Sequence, residues 1–215
     1  MPDRVLPCYV VFDESCSMAD HMDSLNTGLR ELTGTLLGEP SIAGRTRLCV
    51  IGFAETARIV TPLSTPGTGP ARDGRAIGTE TNFGAAFAVL RETIERDVEA
   101  LRSASCAVHQ PVVFFLSDGQ PTDPAAWPSA HAGLVDPGWA ARPRIVAFGI
   151  GDADMTTIAR VGTHGAYLST GDLTPRDTVR EFTAALAGSV VASGAAELTV
   201  PRQVSGFTAL ETDAV

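Results

Sequence analysis

The chain contains no lysine: all 16 of its basic residues, in 215, are arginine. That absence removes a P-loop lysine, a Schiff-base lysine and a Ser-Lys catalytic pair from consideration. Cysteine is scarce and scattered. Cys8, Cys16, Cys49 and Cys106 form no C-x-x-C pair and no cluster with histidine, which argues against a structural zinc site. Cys8 and Cys49 lie in apolar runs and read as small core residues. With no disulfide framework, the expected setting is reduced and cytoplasmic. Long hydrophobic runs are also missing. No apolar stretch approaches the ~20 residues that a membrane-spanning helix needs, so no membrane contact is expected. The opening "MPDRVLPCYVVF" has too short an apolar run for a signal peptide. Positive charge is in deficit, with a formal net charge of -9, and nucleic acid is therefore not an expected partner.

What is present is enough for one sizeable core: 44% of the residues are hydrophobic and 19% charged. Short apolar runs alternate with longer helical patterns. "CYVVF" (Cys8–Phe12) reads as a buried strand. Met22, Leu25, Leu29, Leu32 and Leu36 then recur at three- and four-residue steps, as on an amphipathic helix. "RLCVIGF" (Arg47–Phe53) and "ARIVTPL" (Ala57–Leu63) are strands joined by a link so short that they must pair antiparallel. A Gly- and Pro-rich loop leads into a helix from Asn82 to about Leu101. "PVVFFLS" (Pro111–Ser117) is the most hydrophobic run and predicts a central parallel strand. Residues 121–143 are broken by proline and allow a short helix at most, with Asp123 and Pro124 suiting its cap and first position. "RIVAFGI" (Arg144–Ile150) is a further buried strand. A short helix over Asp154–Val161, a short strand near Ala166–Leu168 and a helix over Thr174–Val191 follow.

This β-α alternation predicts an α/β fold: a doubly wound, mostly parallel central sheet with one antiparallel edge strand and helices on both faces. The domain is expected to span residues 1–194. Residues 195–215 show no period and are expected to form an extended or disordered tail.

In such a sheet, ligands bind beyond the carboxyl ends of the strands, where strand order reverses. Asp13, Ser15 and Ser17 follow the first strand. Asp118 follows "VVFFLS", and Thr81 lies where the Gly-rich loop enters its helix. If both strands are central, two carboxylates and three hydroxyls converge. Hard oxygen donors of this kind suit Mg²⁺ or Mn²⁺ better than Zn²⁺, and Ca²⁺ usually takes more carboxylate and carbonyl ligands. Five protein oxygens around an octahedral ion leave a position for an outside ligand. The bland alternative is that Ser15 and Ser17 merely cap the first helix.

The three segments "DESCSM", "TNFG" and "FFLSDGQPTD" resemble the metal-ion-dependent adhesion site (MIDAS) of von Willebrand factor A (VWA) domains, whose pattern is D-x-S-x-S, a distant Thr and a distant Asp. Order and spacing match over roughly residues 5–192. Within that superfamily, "LPCYVVFDESCSM", "GTETNFGAAF" and "FLSDGQPTD" look most like the bacterial tellurium-resistance Y (TerY-like) branch. The resemblance implies that Ser15, Ser17 and Thr81 contact the metal directly and that Asp13 and Asp118 hold it directly or through water. It implies a partner protein that supplies an Asp or Glu to the open position, and no catalysis. It further implies an association with a protein kinase or a PP2C-type phosphatase in bacterial stress or tellurium-resistance systems. Cys16 departs from the glycine that many members carry between the serines. A filler role is favoured for it over redox sensing.

The competing reading is an Mg-dependent phosphatase of the haloacid dehalogenase type, which also has an aspartate after its first strand. That chemistry normally asks for a second aspartate two residues on and a basic residue, lysine or arginine, for the phosphate; here Ser15 fills that place and lysine is absent. A serine hydrolase lacks its G-x-S-x-G elbow. Glu14 and Asp20 are expected to be solvated or capping groups. His21 is expected close to the site but with a surface role, and His109, His131 and His164 away from the site. Trp127 and Trp139 are either exposed partner anchors or packing for the irregular segment. The loop Thr65–Glu80, with Arg72 and Arg75, is either a mobile, partner-selecting rim or a passive connector.

Overall fold

The first strand is buried along almost its whole length because it has neighbours on both sides and helices on both faces. In the computed structural model, which describes residues 4–69, 73–192 and 199–212, this strand β1 runs Arg4–Asp13. Alternate side chains point to opposite faces. Cys8, Val10 and Phe12 join a core on one side of the sheet, and Tyr9 and Val11 join a second core on the other. This double burial explains why the run is continuously apolar rather than alternating.

The remaining strands are β2 (Thr46–Phe53), β3 (Ala57–Ser64), β4 (Ala107–Val108), β5 (Val112–Ser117), β6 (Arg144–Gly149), β7 (Gly165–Ser169) and β8 (Phe207–Leu210). The sheet order is β3-β2-β1-β5-β6-β7-β8, with β4 pairing beside the start of β1. β1, β2, β5, β6 and β7 are parallel, and β3 is antiparallel to β2 as the short link requires. The helices are α1 (Ala19–Leu37), α2 (Pro40–Ala43), α3 (Phe83–Ser103), α4 (Trp127–Leu134), α5 (Met155–Val161) and α6 (Pro175–Ala192). Residues of α1 and α6 line the first core, and those of α3, α4 and α5 line the second. The expected α/β class with helices on both faces is the one observed. Among the described residues no helix is long and apolar enough to cross a membrane.

Two features depart from the sequence reading, and a third settles an alternative that it leaves open. The tail contributes β8, which pairs antiparallel with β7, so the sheet has a second antiparallel edge and the domain runs past residue 194. Phe207 of β8 stacks edge-on against Phe148, 5.4 Å between ring centroids, and the Tyr167 hydroxyl donates to the Pro201 carbonyl. A four-residue strand held by its pairing with β7 and one aromatic contact is too short to show a period. Asp123 does not open its own helix, since α4 begins at Trp127. Its carboxylate instead accepts the Phe83 and Gly84 amides, 3.1 and 2.8 Å, at the N-terminus of α3. Those amides have no partner within their helix, and a negative charge there is favoured by the helix dipole. Finally, Trp127 is buried against Phe83, Phe87 and His131 under the Arg160 guanidinium, and Trp139 lies under Arg91. Both tryptophans pack the irregular segment against its neighbours.

Strand order reverses between β1 and β5: the chain steps from β1 out to β2 and β3, returns to β5 and continues to β6 and β7. The register pairs Phe12 with Leu116, which sets Asp13 beside Ser117 at the carboxyl ends of the two central strands.

Candidate metal centre

The site is built where β1 and β5 end. Asp13 is fully buried, and both its oxygens are engaged. Oδ1 accepts the Ser15 amide at 2.8 Å and Oδ2 accepts the Ser117 hydroxyl at 2.7 Å. The chain then makes a 3-10 turn, Cys16–Met18, before α1 begins. That turn places Ser15 and Ser17 with hydroxyls 2.9 Å apart, and Ser17 donates to Asp118 Oδ1 at 2.9 Å. Neither serine makes a side-chain cap: the turn's N-cap, Ser15, and the α1 N-cap, Met18, both lack one. The capping alternative is therefore not what these hydroxyls do.

Thr81 is buried and comes from the other side. Its carbonyl accepts the Thr122 amide at 3.0 Å and its amide reaches the Thr122 hydroxyl at 3.3 Å, so the segments after β5 and before α3 are zipped together. A β-carbon on Gly119 would lie 3.3 Å from the Thr81 hydroxyl oxygen, which places that hydroxyl against the residue after Asp118. Asn82 caps α3 by accepting the Ala85 amide at 2.8 Å, fixing the turn that presents Thr81. The fold thus brings Asp13, Ser15, Ser17, Thr81 and Asp118 to one crevice.

The electrostatics of the crevice are those of anions short of a cation. Burial pushes the Asp13 carboxyl up from 3.8 to about 6, against the pull of its bonds from Ser117 and Ser15, and the Asp118 charge adds to the rise. Asp118 is also raised, by burial first, while the Ser17 bond and His21 hold it down. Among the described residues neither carboxylate forms an ion pair. No three His, Cys, Asp or Glu side chains gather as a metal-holding group in the described residues, so a cation here depends on the hydroxyls. Two buried carboxylates and three adjacent hydroxyls, with no ion pair to either carboxylate among the described residues, fit a hard divalent ion.

The sequence reading misses one neighbour of the site, Glu14, and sets a second, His21, close to it but at the surface. Glu14 is not solvated: it is buried, and its carboxylate takes the Arg58 guanidinium at 2.6 Å and the Arg75 amide at 2.8 Å. An acidic residue between two ligand positions, with an arginine on an adjacent hairpin, carries no local sequence signal of that pairing. His21 is half-buried, and its Nδ1 is a buried atom without a hydrogen-bond partner. It lies one turn after Ser17, and helical side chains lean back over the preceding turn. Asp20 is exposed in the first turn of α1, as a solvated helix-start acid would be. Cys16 is exposed, and all four cysteines are free. His131 is buried, bonded to the Val161 carbonyl at 3.0 Å, and away from the crevice.

The described part of the loop before Thr81 is tied down. Asn26 of α1 clasps Gly74 through both its amide and its carbonyl, at 2.8 and 3.0 Å. Glu55 accepts the amide and hydroxyl of Thr79, at 2.6 and 2.9 Å. Arg75 and Ile77 are exposed on this rim, and Arg72 lies outside the described residues.

No family model matches this sequence, and no curated protein matches it. Solved structures do. The pilus adhesin SpaC from Lactobacillus rhamnosus GG is similar with a TM-score of 0.66 at 13% identity, over 87% of this chain and 30% of that one. Proximal thread matrix protein 1 from the mussel byssus is similar with a TM-score of 0.60 at 16% identity, over 88% of this chain and 49% of that one. The same mussel protein with a zinc-occupied MIDAS motif gives a TM-score of 0.57 at 14% identity, over 88% of this chain and 48% of that one. The chain has a VWA fold. It spans about half or less of the length of these VWA-fold proteins. At such identities the likeness extends to the fold and not to what each protein binds.

Proposed function

We propose that this VWA-fold chain is a protein-interaction module that takes one divalent cation, Mg²⁺ or Mn²⁺, in the crevice and presents it to a carboxylate of a partner protein. The observation that carries this reading is the pair of buried carboxylates, Asp13 and Asp118, linked through Ser15 and Ser17 and, among the described residues, in no ion pair. Asp13, Ser15, Ser17, Thr81 and Asp118 would hold the ion. When bound, the ion supplies an electrophilic point for an incoming Asp or Glu. The three hydroxyls donate electron pairs without adding charge, so the site neutralises itself only in part and stays attractive to a third carboxylate. Because the chain carries a net charge of -9, an acidic partner is repelled at long range, and the cation serves as a local bridge.

The zinc-occupied MIDAS of the mussel protein supports a divalent cation at this place in the fold, and the oxygen-only donor set here favours Mg²⁺ or Mn²⁺. The reading assigns no catalytic step. Nothing favours the phosphatase alternative: the position two residues after Asp13 is Ser15, a hydroxyl where that chemistry normally has a second carboxylate. The TerY-like branch, a cytoplasmic setting and a kinase or PP2C-type partner belong to this proposal on the strength of the motif resemblance. Capture of partners from a bacterial lysate with and without EDTA tests it, with Thr81→Ala as control. Capture that needs Mg²⁺ or Mn²⁺ and fails with Thr81→Ala is expected. Capture that is equal in EDTA would place the interface elsewhere.

A further inference from the structure

The segment 73–78 is laid against the cation site like an extra strand. Ser15 forms a parallel bridge with Gly78, the Cys16 amide donates to the Gly78 carbonyl at 2.7 Å, and the Glu14 carbonyl accepts the Ile77 and Gly78 amides at 2.9 and 3.2 Å. The Glu14 side chain adds a second attachment: its Oε1 accepts both the Arg75 amide at 2.8 Å and the Arg58 guanidinium of β3 at 2.6 Å. It lies over Gly52 of β2, where a β-carbon would meet its Oε2 at 2.2 Å. Gly52 is therefore the space that lets a buried carboxylate sit between Asp13 and Ser15. Three residues beyond Gly78 the same backbone reaches Thr81. A shift of this segment must move Ser15 or Thr81, on opposite sides of the crevice. Its outward face carries Ile77, 61% exposed and large for a surface apolar side chain.

On the strength of the cation site proposed above, we infer that Glu14 is a positioning residue that couples the 73–78 segment to that site, so that cation binding and seating of the segment strengthen each other. Coupling of two sites through one element is reciprocal. The Glu14 carboxylate does not touch the ion in this account. It fixes the distance between the Ser15 side and the Thr81 side.

Arg75 is exposed and takes its hold through its own amide, so trypsin cleavage after Arg75 reports seating of the segment. Mn²⁺ binding is counted separately by electron paramagnetic resonance. In the wild type, saturating Mn²⁺ is expected to slow cleavage after Arg75 by about tenfold, a typical coupling factor. In Glu14→Ala the protection should fall to nearly nothing and Mn²⁺ binding should weaken. Glu14→Gln, which still accepts the Arg75 amide, should keep most of both. Gly52→Ala displaces the carboxylate from the strand side and should reproduce Glu14→Ala; it decides the matter if Glu14→Ala does not melt cooperatively. Asn26→Ala loosens the same segment from α1 and should raise cleavage with and without Mn²⁺ while the protection ratio stays. Full protection in Glu14→Ala or Gly52→Ala, or a wild type that binds Mn²⁺ without protection, would overturn the inference. A wild type that binds no Mn²⁺ would instead overturn the cation site on which it rests.

Discussion

Replacing Asp13 by Asn should stabilise the cation-free protein while abolishing its cation binding. The folded carboxyl titrates at about 6 and the unfolded one near 3.8. Below pH 3.8 the proton is bound in both states and burial costs nothing electrostatically. Between those values the unfolded chain ionises and the folded chain does not, so the unfolded state binds fewer protons and stability falls as pH rises. At about 1.4 kcal/mol per pH unit the penalty reaches about 3 kcal/mol near pH 6 and stays constant above it. Asparagine keeps the geometry: its oxygen accepts the Ser15 amide, and its NH₂ faces the Ser117 hydroxyl that donates to Asp13 in the wild type. The assay is urea unfolding in EDTA, for wild type and Asp13→Asn, from pH 4 to 8. Groups not coupled to Asp13 cancel in the difference between the two proteins, and relief of the repulsion between Asp13 and Asp118 adds to it in the same direction. That difference should grow by roughly 1–3 kcal/mol toward pH 8, a melting shift of several degrees for a domain of this size. A variant no more stable than wild type at pH 8, or a difference that does not change with pH, would refute the reasoning.

Adding Mg²⁺ at a hundredfold excess over its dissociation constant should stabilise the wild type by about 2.7 kcal/mol through mass action, with no effect on Asp13→Asn, as read by melting temperature. Asp123→Ala should cost about 1–2 kcal/mol by uncapping α3, and because α3 follows Thr81, cation affinity should weaken with it in calorimetry. Trp127→Ala should cost about 3–5 kcal/mol, the usual range for a buried aromatic, and leave cation affinity unchanged, which urea unfolding and calorimetry separate. Removing β8 and the residues after it should destabilise the fold by exposing the β7 edge and Phe148.

The sheet was legible because its central strands carry their information locally. "CYVVF" and "VVFFLS" are buried on both faces, and nothing but strands between helices accommodates such runs at that length. The crevice was legible for the same reason: Asp13, Ser15, Ser17 and Asp118 sit at fixed steps from the ends of those strands, so the register that places Phe12 beside Leu116 brings them together. Thr81 was found through its place at the entrance of a well-marked helix. What escaped are pairings across the fold. Asp123 reads as the start of its own helix, yet Gly84, where a β-carbon would lie 2.5 Å from Asp123 Oδ2, opens a closer target at α3. Glu14 reads as a surface acid until Arg58 and Gly52 supply its partner and its space. Trp127 and Trp139 could face either way until Arg160 and Arg91 are seen to cover them. β8 is four residues long and depends on β7, so its segment has no pattern of its own.

The central claim is a divalent cation held by Asp13, Ser15, Ser17, Thr81 and Asp118. Mn²⁺ titration followed by electron paramagnetic resonance tests it most directly, on wild type, Asp13→Asn and Asp118→Ala at neutral pH. The account predicts one Mn²⁺ per wild-type chain, displaced by Mg²⁺, and loss of that binding in both variants. Equal Mn²⁺ affinity in all three proteins, or none in the wild type, would contradict it.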